Sequence, residues 1–352
     1  MAKQWTKYGI GIDVGKNKLH ACISGVEENG GIKVIAQKSF SNTPSGYEKL
    51  YSWLEQKRKV KSLAWQIVLE VTGVYHESVV HYMYEKGCPV CVELAKRVNR
   101  YLESIGQYSK TDKLDGKGLS RLACERKLKL WSPVSAHIYE IRSLLRHRKA
   151  LLLAKNQFVN QRHALQHGQT KIKQVQTSLN KLIEELEAQV KAIEEQVKEV
   201  ARKEASFYSQ VEQIVESVKG LGLLSVLTIL SETNGFKTIE SVRQLVSYAG
   251  YDVVEKQSGQ SRSQGRISKR GNAHIRASLY MPALCVIRQK VNPFYDFYIR
   301  LLKRNGGIKK KANVAVQRKL LVLVYTLWKK KEGFIENYEQ VRLKKQVAPS
   351  CG

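Results

Sequence analysis

Four carboxylates stand out by the company they keep. Asp13 ends the apolar run YGIGIDV, and Glu70 lies near the end of another, in IVLEVTG. Asp112 and Asp115 stand three apart in SKTDKLDGKGLSRLA, among lysines. A carboxylate at the end of a buried strand is costly unless it is paired or binds a cation. Asp112 and Asp115 share one face if the segment is helical. Together the four would hold two Mg²⁺ ions about 3.5–4 Å apart, one activating an attacking oxygen and one stabilising a departing one. Carboxylates suit Mg²⁺ and leave positions for phosphate and water. Lys110, Lys113 and Lys117 would then hold the flanking phosphate backbone. The plainer reading has Asp13 capping a turn, Asp112 as a helix N-cap and Asp115 at N3.

The elements that must carry these residues follow from apolar patterning. Residues 7 to 37 predict three strands, YGIGIDV, KLHACISGV and IKVIAQKSF, the last two separated by a turn at Asn29, Gly30 and Gly31. A helix over 44–57 starts near Pro44. WQIVLEV predicts a buried strand, HESVVHYMYEKG a helix and CPVCVE a further strand, with helix continuing to about residue 126. Strands followed by helix–strand alternation imply an α/β domain on a mixed sheet, spanning 7–130. Open sheets of this kind bind ligands beyond their strand ends, which is where Asp13 and Glu70 fall. Cys88 and Cys91 form a single CPVC; without a second pair it predicts buried thiols rather than a zinc or redox site.

Residues 136 to 208 contain no proline and are rich in helix formers. Leu182, Leu186, Val190, Ile193 and Val197 recur in steps of three and four, a coiled-coil stripe. Gly168 interrupts the pattern. The segment 135–208 therefore predicts a long antiparallel hairpin, or two consecutive helices, suited to self-association or to service as a rigid spacer.

The third region, 210–340, predicts a mostly helical domain. Gly220-Leu221-Gly222 between two helix-like stretches would form a helix–hairpin–helix turn whose amides hold a backbone phosphate. Residues 256 to 276, KQSGQSRSQGRISKRGNAHIR, hold six basic residues and no acidic one, interrupted by Gly259, Gly265 and Gly271. This predicts a flexible loop tracking phosphates through Arg262, Arg266, Lys269, Arg270 and Arg276. From Lys303 to Lys331 there are ten Lys or Arg and no acid, including Lys309, Lys310 and Lys311. Val316, Leu320, Val324 and Leu327 give that segment an apolar helical face. Tyr295, Tyr298, Trp328 and Phe334 are read as core residues first and base-stacking residues second.

The whole chain carries 60 Lys and Arg against 31 Asp and Glu, a formal net charge of +29 over 352 residues. Such an excess implies a polyanionic partner. No apolar run is long enough to span a bilayer, and the N-terminus runs directly into a strand, so a cytoplasmic, nucleic-acid-associated protein is expected.

GIDVGKNKLHACI, VLEVTGVYH, SKTDKLDGKGLSRLA and VSYAGYDVVEKQSGQSRSQGRISKRGNAHIRASLY, in this order, resemble the IS110 class of insertion-sequence transposases, IS1111-like branch included. The resemblance spans roughly residues 8–126 and 214–301. It implies a RuvC-like N-terminal domain of ribonuclease-H fold with a DEDD tetrad, matched by Asp13, Glu70, Asp112 and Asp115. It also implies a mainly α-helical C-terminal domain with a serine nucleophile, matched by Ser258. It further implies RNA-guided recombination, in which a structured noncoding RNA pairs with donor and target DNA. The active sites would be composite between subunits, in a tetramer assembled from dimers.

Two rival readings remain at this level. A hydrolytic, metal-dependent nuclease of resolvase type would use the carboxylates alone. A non-catalytic nucleic-acid-binding protein would use them as caps and ion pairs.

Overall fold

A computed structural model describes residues 5–71, 73–109, 111–170, 172–254, 257–258, 261–262 and 266–334. The chain divides into two compact units, residues 1–133 and 134–352.

The first unit is built on a five-stranded sheet of order β3-β2-β1-β4-β5. The strands are β1 (Trp5–Val14), β2 (Lys18–Glu27), β3 (Ile32–Ser41), β4 (Ala64–Val71) and β5 (Val90–Leu94). β1, β2 and β3 pair antiparallel, with Gly30 at φ 80° supplying the left-handed turn between β2 and β3. β4 lies parallel to β1, and β5 parallel to β4. The mixed α/β sheet expected from the sequence is therefore present. On one face pack α1 (Pro44–Lys57) and α2 (Glu77–Glu85), around a core including Tyr8, Ile10, Ile12, Leu50, Ile67 and Met83. Pro44 opens α1, and the Thr43 hydroxyl accepts from the Gly46 amide as its cap. On the other face lie α3 (Ala95–Ser104) and α4 (Asp112–Glu125), around Val68, Cys91, Tyr101 and Leu119.

The CPVC cysteines fall on opposite faces, Cys88 in the first core and Cys91 in the second. Two thiols separated by the sheet cannot chelate one ion. Both are free and buried, and burial pushes each thiol up to about 11.

In the second unit, α5 (Ala136–His167) and α6 (Lys173–Arg202) form an antiparallel hairpin. Three cross-pairs set its register: Arg148 Nε to Glu194 at 2.6 Å, Lys155 to Glu187 at 3.3 Å and Arg162 to Asn180 at 3.1 Å. Ser135 caps α5, and α5 ends at Gly168. The buried seam of α6 corrects the predicted stripe at its N-terminal end. Leu179 and Ile183 are buried there, whereas Leu182 is 44% exposed. From Val190 onward the stripe runs as read, through Ile193 and Val197. A seven-residue repeat needs a partner to select its phase, and α5 selects the row containing Ile183.

The rest of the unit comprises α7 (Ala205–Ser217), α8 (Leu223–Glu232), α9 (Val242–Ala249), the short strands β6 (Val253–Val254), β7 (Gln257–Ser258), β8 (Ser261–Arg262) and β9 (Arg266–Ile267), α10 (Ala273–Ser278), α11 (Tyr280–Arg288), α12 (Phe294–Arg304) and α13 (Lys309–Lys330). The hairpin base shares one continuous core with these helices. Ile138, Ile141, Val197 and Val200 join Val226, Leu245, Phe294 and the predicted face of α13, Val316, Leu320, Val324 and Leu327. Arm and C-terminal region, expected as separate domains, thus share a single core.

Candidate active site

β1 and β4 are neighbours in parallel register, with Ile12 opposite Leu69. Asp13 and Glu70 are the next residues along each strand. They therefore leave adjacent strand ends on the same face of the sheet. That face is the one covered by α4. A Cβ at Gly11, two residues before Asp13, would lie 2.3 Å from both Gly116 O and Ser120 N. Glycine at position 11 is thus what lets the α4 backbone rest on β1. Farther along, α4 is fastened by buried polar contacts. Ser24 and Ser120 hydroxyls meet at 2.8 Å, Gln66 Nε2 donates to Ala123 O at 2.9 Å, and Lys7 Nζ donates to Cys124 O at 3.0 Å.

This seating carries Asp115, next to Gly116, onto the face bearing Asp13 and Glu70. Asp115 is 7% exposed, and Asp112, one turn nearer the helix start, is exposed. Asp13 and Glu70 are half-buried. The N-cap expectation needs correcting. Thr111, not Asp112, caps α4, its hydroxyl accepting from Leu114 N at 3.3 Å. Asp112 and Asp115 are inside the first turns, where the helix dipole favours anions without fixing them as caps. Lys113 and Lys117 are exposed on α4, and Lys110 lies outside the described residues.

Two residues near this site carried no warning in the sequence. Glu93 on β5 is the register partner of Glu70, which puts a further carboxylate on the same sheet face; Arg97 Nη1 reaches it at 3.4 Å. His20 is the register partner of Asp13. Its ring nitrogens are engaged by Ser39 Oγ at 2.9 Å and Gln37 Oε1 at 3.1 Å, which leaves neither aimed at a cation.

The donor set fits Mg²⁺ in chemistry, being oxygen only. Among the described residues, no three His, Cys, Asp or Glu side chains are gathered into a ready-made metal cage. Mg²⁺ does not require one. It usually keeps several waters and is held by one or two carboxylates together with substrate phosphates.

In the second unit, the basic segment expected as a flexible loop is a β-hairpin where it is described. Val253–Val254 (β6) pairs with Arg266–Ile267 (β9), and Gln257–Ser258 (β7) with Ser261–Arg262 (β8), Ser258 opposite Ser261. The hairpin's base is firmly anchored. Ser268 Oγ donates to Asp252 Oδ1 at 2.7 Å, and Asn272 N donates to Tyr248 O at 2.8 Å. Asn272 caps α10 and donates through Nδ2 to Glu232 Oε2 at 2.7 Å. Glu232, 5% exposed, also accepts two bonds from Arg146 of α5, at 2.7 and 2.8 Å. Burial alone would raise the Glu232 carboxyl, but the Arg146 and Asn272 hydrogen bonds outweigh it and hold it below its ordinary value.

Arg266, Lys269 and Arg270 are exposed along this segment. Arg276 is partly committed to structure, its Nη1 donating to Ala249 O at 2.9 Å and Gly271 O at 3.1 Å. Gly220, at φ 91°, turns the chain between α7 and α8, and Gly222 is the residue before α8. Lys309, Lys310 and Lys311 are exposed in the first turn of α13. Tyr298, Trp328 and Phe334 pack against the core, and Trp328 Nε1 donates to Gly235 O at 3.2 Å.

Among the described residues, no helix is long and apolar enough to cross a membrane. A family model described as "Transposase IS116/IS110/IS902 family" matches residues 212–299, and a model of the IS110 DEDD type, described as "Transposase", matches residues 10–170. The chain is 24% identical over 330 residues to proteins named "Pilin gene-inverting protein" from Moraxella lacunata and Moraxella bovis, covering 94% of this chain and 98% of each relative. A solved structure of the Aquifex aeolicus PPX-GPPA enzyme overlaps 27% of this chain and 38% of its own, at 16% identity and a TM-score of 0.21, too little to bear on the fold. The chain belongs to the IS110 family of insertion-sequence transposases and is a DNA transposase or recombinase.

Proposed function

We propose that this transposase is an RNA-guided recombinase that cuts and rejoins donor and target DNA through a composite of carboxylates and a serine. The observation that carries the reading is the meeting of Asp13 and Glu70 at neighbouring strand ends beneath the helix bearing Asp112 and Asp115. The sheet order, three antiparallel strands followed by two parallel ones, supports a ribonuclease-H-like, RuvC-like assignment for the first unit. Asp13, Glu70, Asp112 and Asp115 would hold Mg²⁺, which when bound supplies charge neutralisation at the phosphodiester and a more acidic attacking hydroxyl. The match to the DEDD-type model supports divalent-metal dependence.

Ser258 is the proposed nucleophile. Its Oγ attacks phosphorus and loses its proton, a phosphoserine ester forms, and the bond to the departing deoxyribose oxygen breaks. Reversal by a second DNA end rejoins the strand without external energy, because the number of phosphodiester-type bonds is unchanged. Water attack would instead discard that bond, as in the resolvase-type alternative. Lys110, Lys113, Lys117, Arg262, Arg266, Lys269, Arg270, Arg276, the Gly220–Gly222 turn and Lys309–Lys311 are proposed to hold DNA or guide RNA backbone. Pairing with a noncoding RNA would select the target, and the α5–α6 arm would support dimers assembling to tetramers.

The test is a denaturing gel of protein with Mg²⁺, element-end RNA and labelled donor and target DNA. Wild type should give a DNA-linked protein band that Ser258→Ala and Asp13→Ala both lose. Free nicked DNA in wild type and Ser258→Ala alike, with no adduct, would leave the hydrolytic nuclease. Omission of the RNA should abolish target joining.

A further inference from the structure

Asn42 lies between β3 and α1, outside every motif considered above, yet it gathers the loops that follow both carboxylate-bearing strands. Its Nδ2 donates to Gly15 O at 2.9 Å and to Lys16 O at 3.4 Å, two and three residues after Asp13. The same Nδ2 donates to Tyr75 O at 3.1 Å, five residues after Glu70. Its main-chain N donates to Asn17 O at 3.0 Å. Three carbonyl partners require the amino group on that side, so the amide orientation follows from chemistry. The opposite atom, Oδ1, accepts from Tyr47 OH at 2.6 Å. Tyr47 is 5% exposed, on α1, with its ring 5.7 Å from that of Tyr82 on α2. The bracket is thus seated on the opposite face of the sheet from α4.

We infer that Asn42, oriented by Tyr47, is a positioning residue that sets the spacing of Asp13 and Glu70 for divalent-cation binding. The inference rests on the proposed role of those carboxylates. Two like charges on neighbouring strands repel, and the loops beyond parallel strands have no ladder to hold them together. One amide donating to both loops opposes that separation. Asn42 touches neither substrate nor metal ligand directly, so its effect is read in cation affinity rather than in DNA binding.

The test compares wild type, Asn42→Leu and Tyr47→Phe as full chains. Leu keeps the branched shape of Asn and removes every polar partner of its side chain, and the exposed carbonyls it releases can take water. Tyr47→Phe keeps the ring packing and removes only the bond to Oδ1. Two readouts are taken: the upward shift of Tm with Mg²⁺ in the absence of nucleic acid, and the Mg²⁺ dependence of strand cleavage. Asn42→Leu should need about tenfold more Mg²⁺ in both, in the range found for residues that orient metal ligands, with DNA affinity in EDTA within twofold of wild type. Tyr47→Phe should move the same way by a smaller factor. Unchanged Mg²⁺ curves in both variants would overturn the inference, even if either variant melts earlier in EDTA. A wild type with neither a Mg²⁺-induced shift nor Mg²⁺-dependent cleavage would instead overturn the carboxylate reading, and the inference with it.

Discussion

Replacing Gly11 by Ala should disable the protein by lifting α4 off the sheet. The added Cβ would sit 2.3 Å from Gly116 O and Ser120 N and 2.6 Å from Leu119 Cβ. Ordinary contact between carbon atoms begins at about 3.5 Å, so the overlap is about 1 Å. The nearest two atoms are backbone in a buried stretch of helix, where Ser120 and Leu119 are 0% and 1% exposed. No rotamer change relieves such a clash; α4 must retreat or β1 must bend. Overpacking of this kind costs about 1–3 kcal/mol, equivalent to a fall in Tm of roughly 4–12 °C at about 4 °C per kcal/mol. Asp115 adjoins the clash, and a misplacement of about 1 Å in a catalytic constellation costs on the order of 10²-fold in rate. Thermal unfolding and Mg²⁺-dependent strand cleavage, measured together, check both figures. Gly168→Ala is the control, with φ −73° and its nearest contact at an ordinary 3.5 Å; it should stay within about 0.5 kcal/mol of wild type. Wild-type stability and cleavage in Gly11→Ala would refute the seating of α4 on β1 and, with it, the meeting of the carboxylates.

Other expectations follow from single contacts. Glu232→Gln should destabilise the second unit by about 1–2 kcal/mol through loss of charge-assisted bonds, discounted because Arg146 is half exposed. The Glu232 carboxyl is depressed in the folded state, so its contribution is full above the unfolded value of about 4.3 and fades as the pH falls through the lower folded value; pH-dependent melts of wild type and Glu232→Gln should therefore converge in acid. Ile183→Ala should cost about 2–4 kcal/mol and Leu182→Ala under about 0.5 kcal/mol, and the reverse order in thermal melts would overturn the arm's register. Cys88, Cys91 and Cys124, whose thiols burial holds up at about 11, should resist alkylation at pH 8 until the chain unfolds; mass mapping of labelled peptides reads this directly. Replacing Lys309, Lys310 and Lys311 by Gln should flatten the slope of log affinity against log salt by up to about 2.7, at roughly 0.9 per lost phosphate contact on duplex DNA.

The element order of the first unit was legible in residue types alone. Continuous apolar runs with β-branched residues mark β1, β4 and β5, Asn29-Gly30-Gly31 marks the turn before β3, and Pro44 marks the start of α1. These are local signals, carried by backbone preference and by the need to bury a run of apolar side chains. The placement of Asp13 and Glu70 near the ends of apolar strands was legible for the same reason, and a carboxylate there is expensive wherever the strand goes. What sequence patterning left open was every choice that depends on a neighbour distant in the chain. Thr111 caps α4 in preference to Asp112, although both residue types are competent. Ile183 faces α5 and Leu182 faces solvent, because only the pairing of Arg148 with Glu194 sets the phase of the repeat. Cys88 and Cys91, three residues apart, end in different cores because β5 lies within a sheet covered on both faces. Asp13 and Asp115 share one sheet face because Gly9 and Gly11 let a helix from a hundred residues away touch β1, and Asn42 draws the two neighbouring loops together from beneath. Residue type determined what chemistry the chain can offer; close packing between segments remote in sequence decided which of those groups meet.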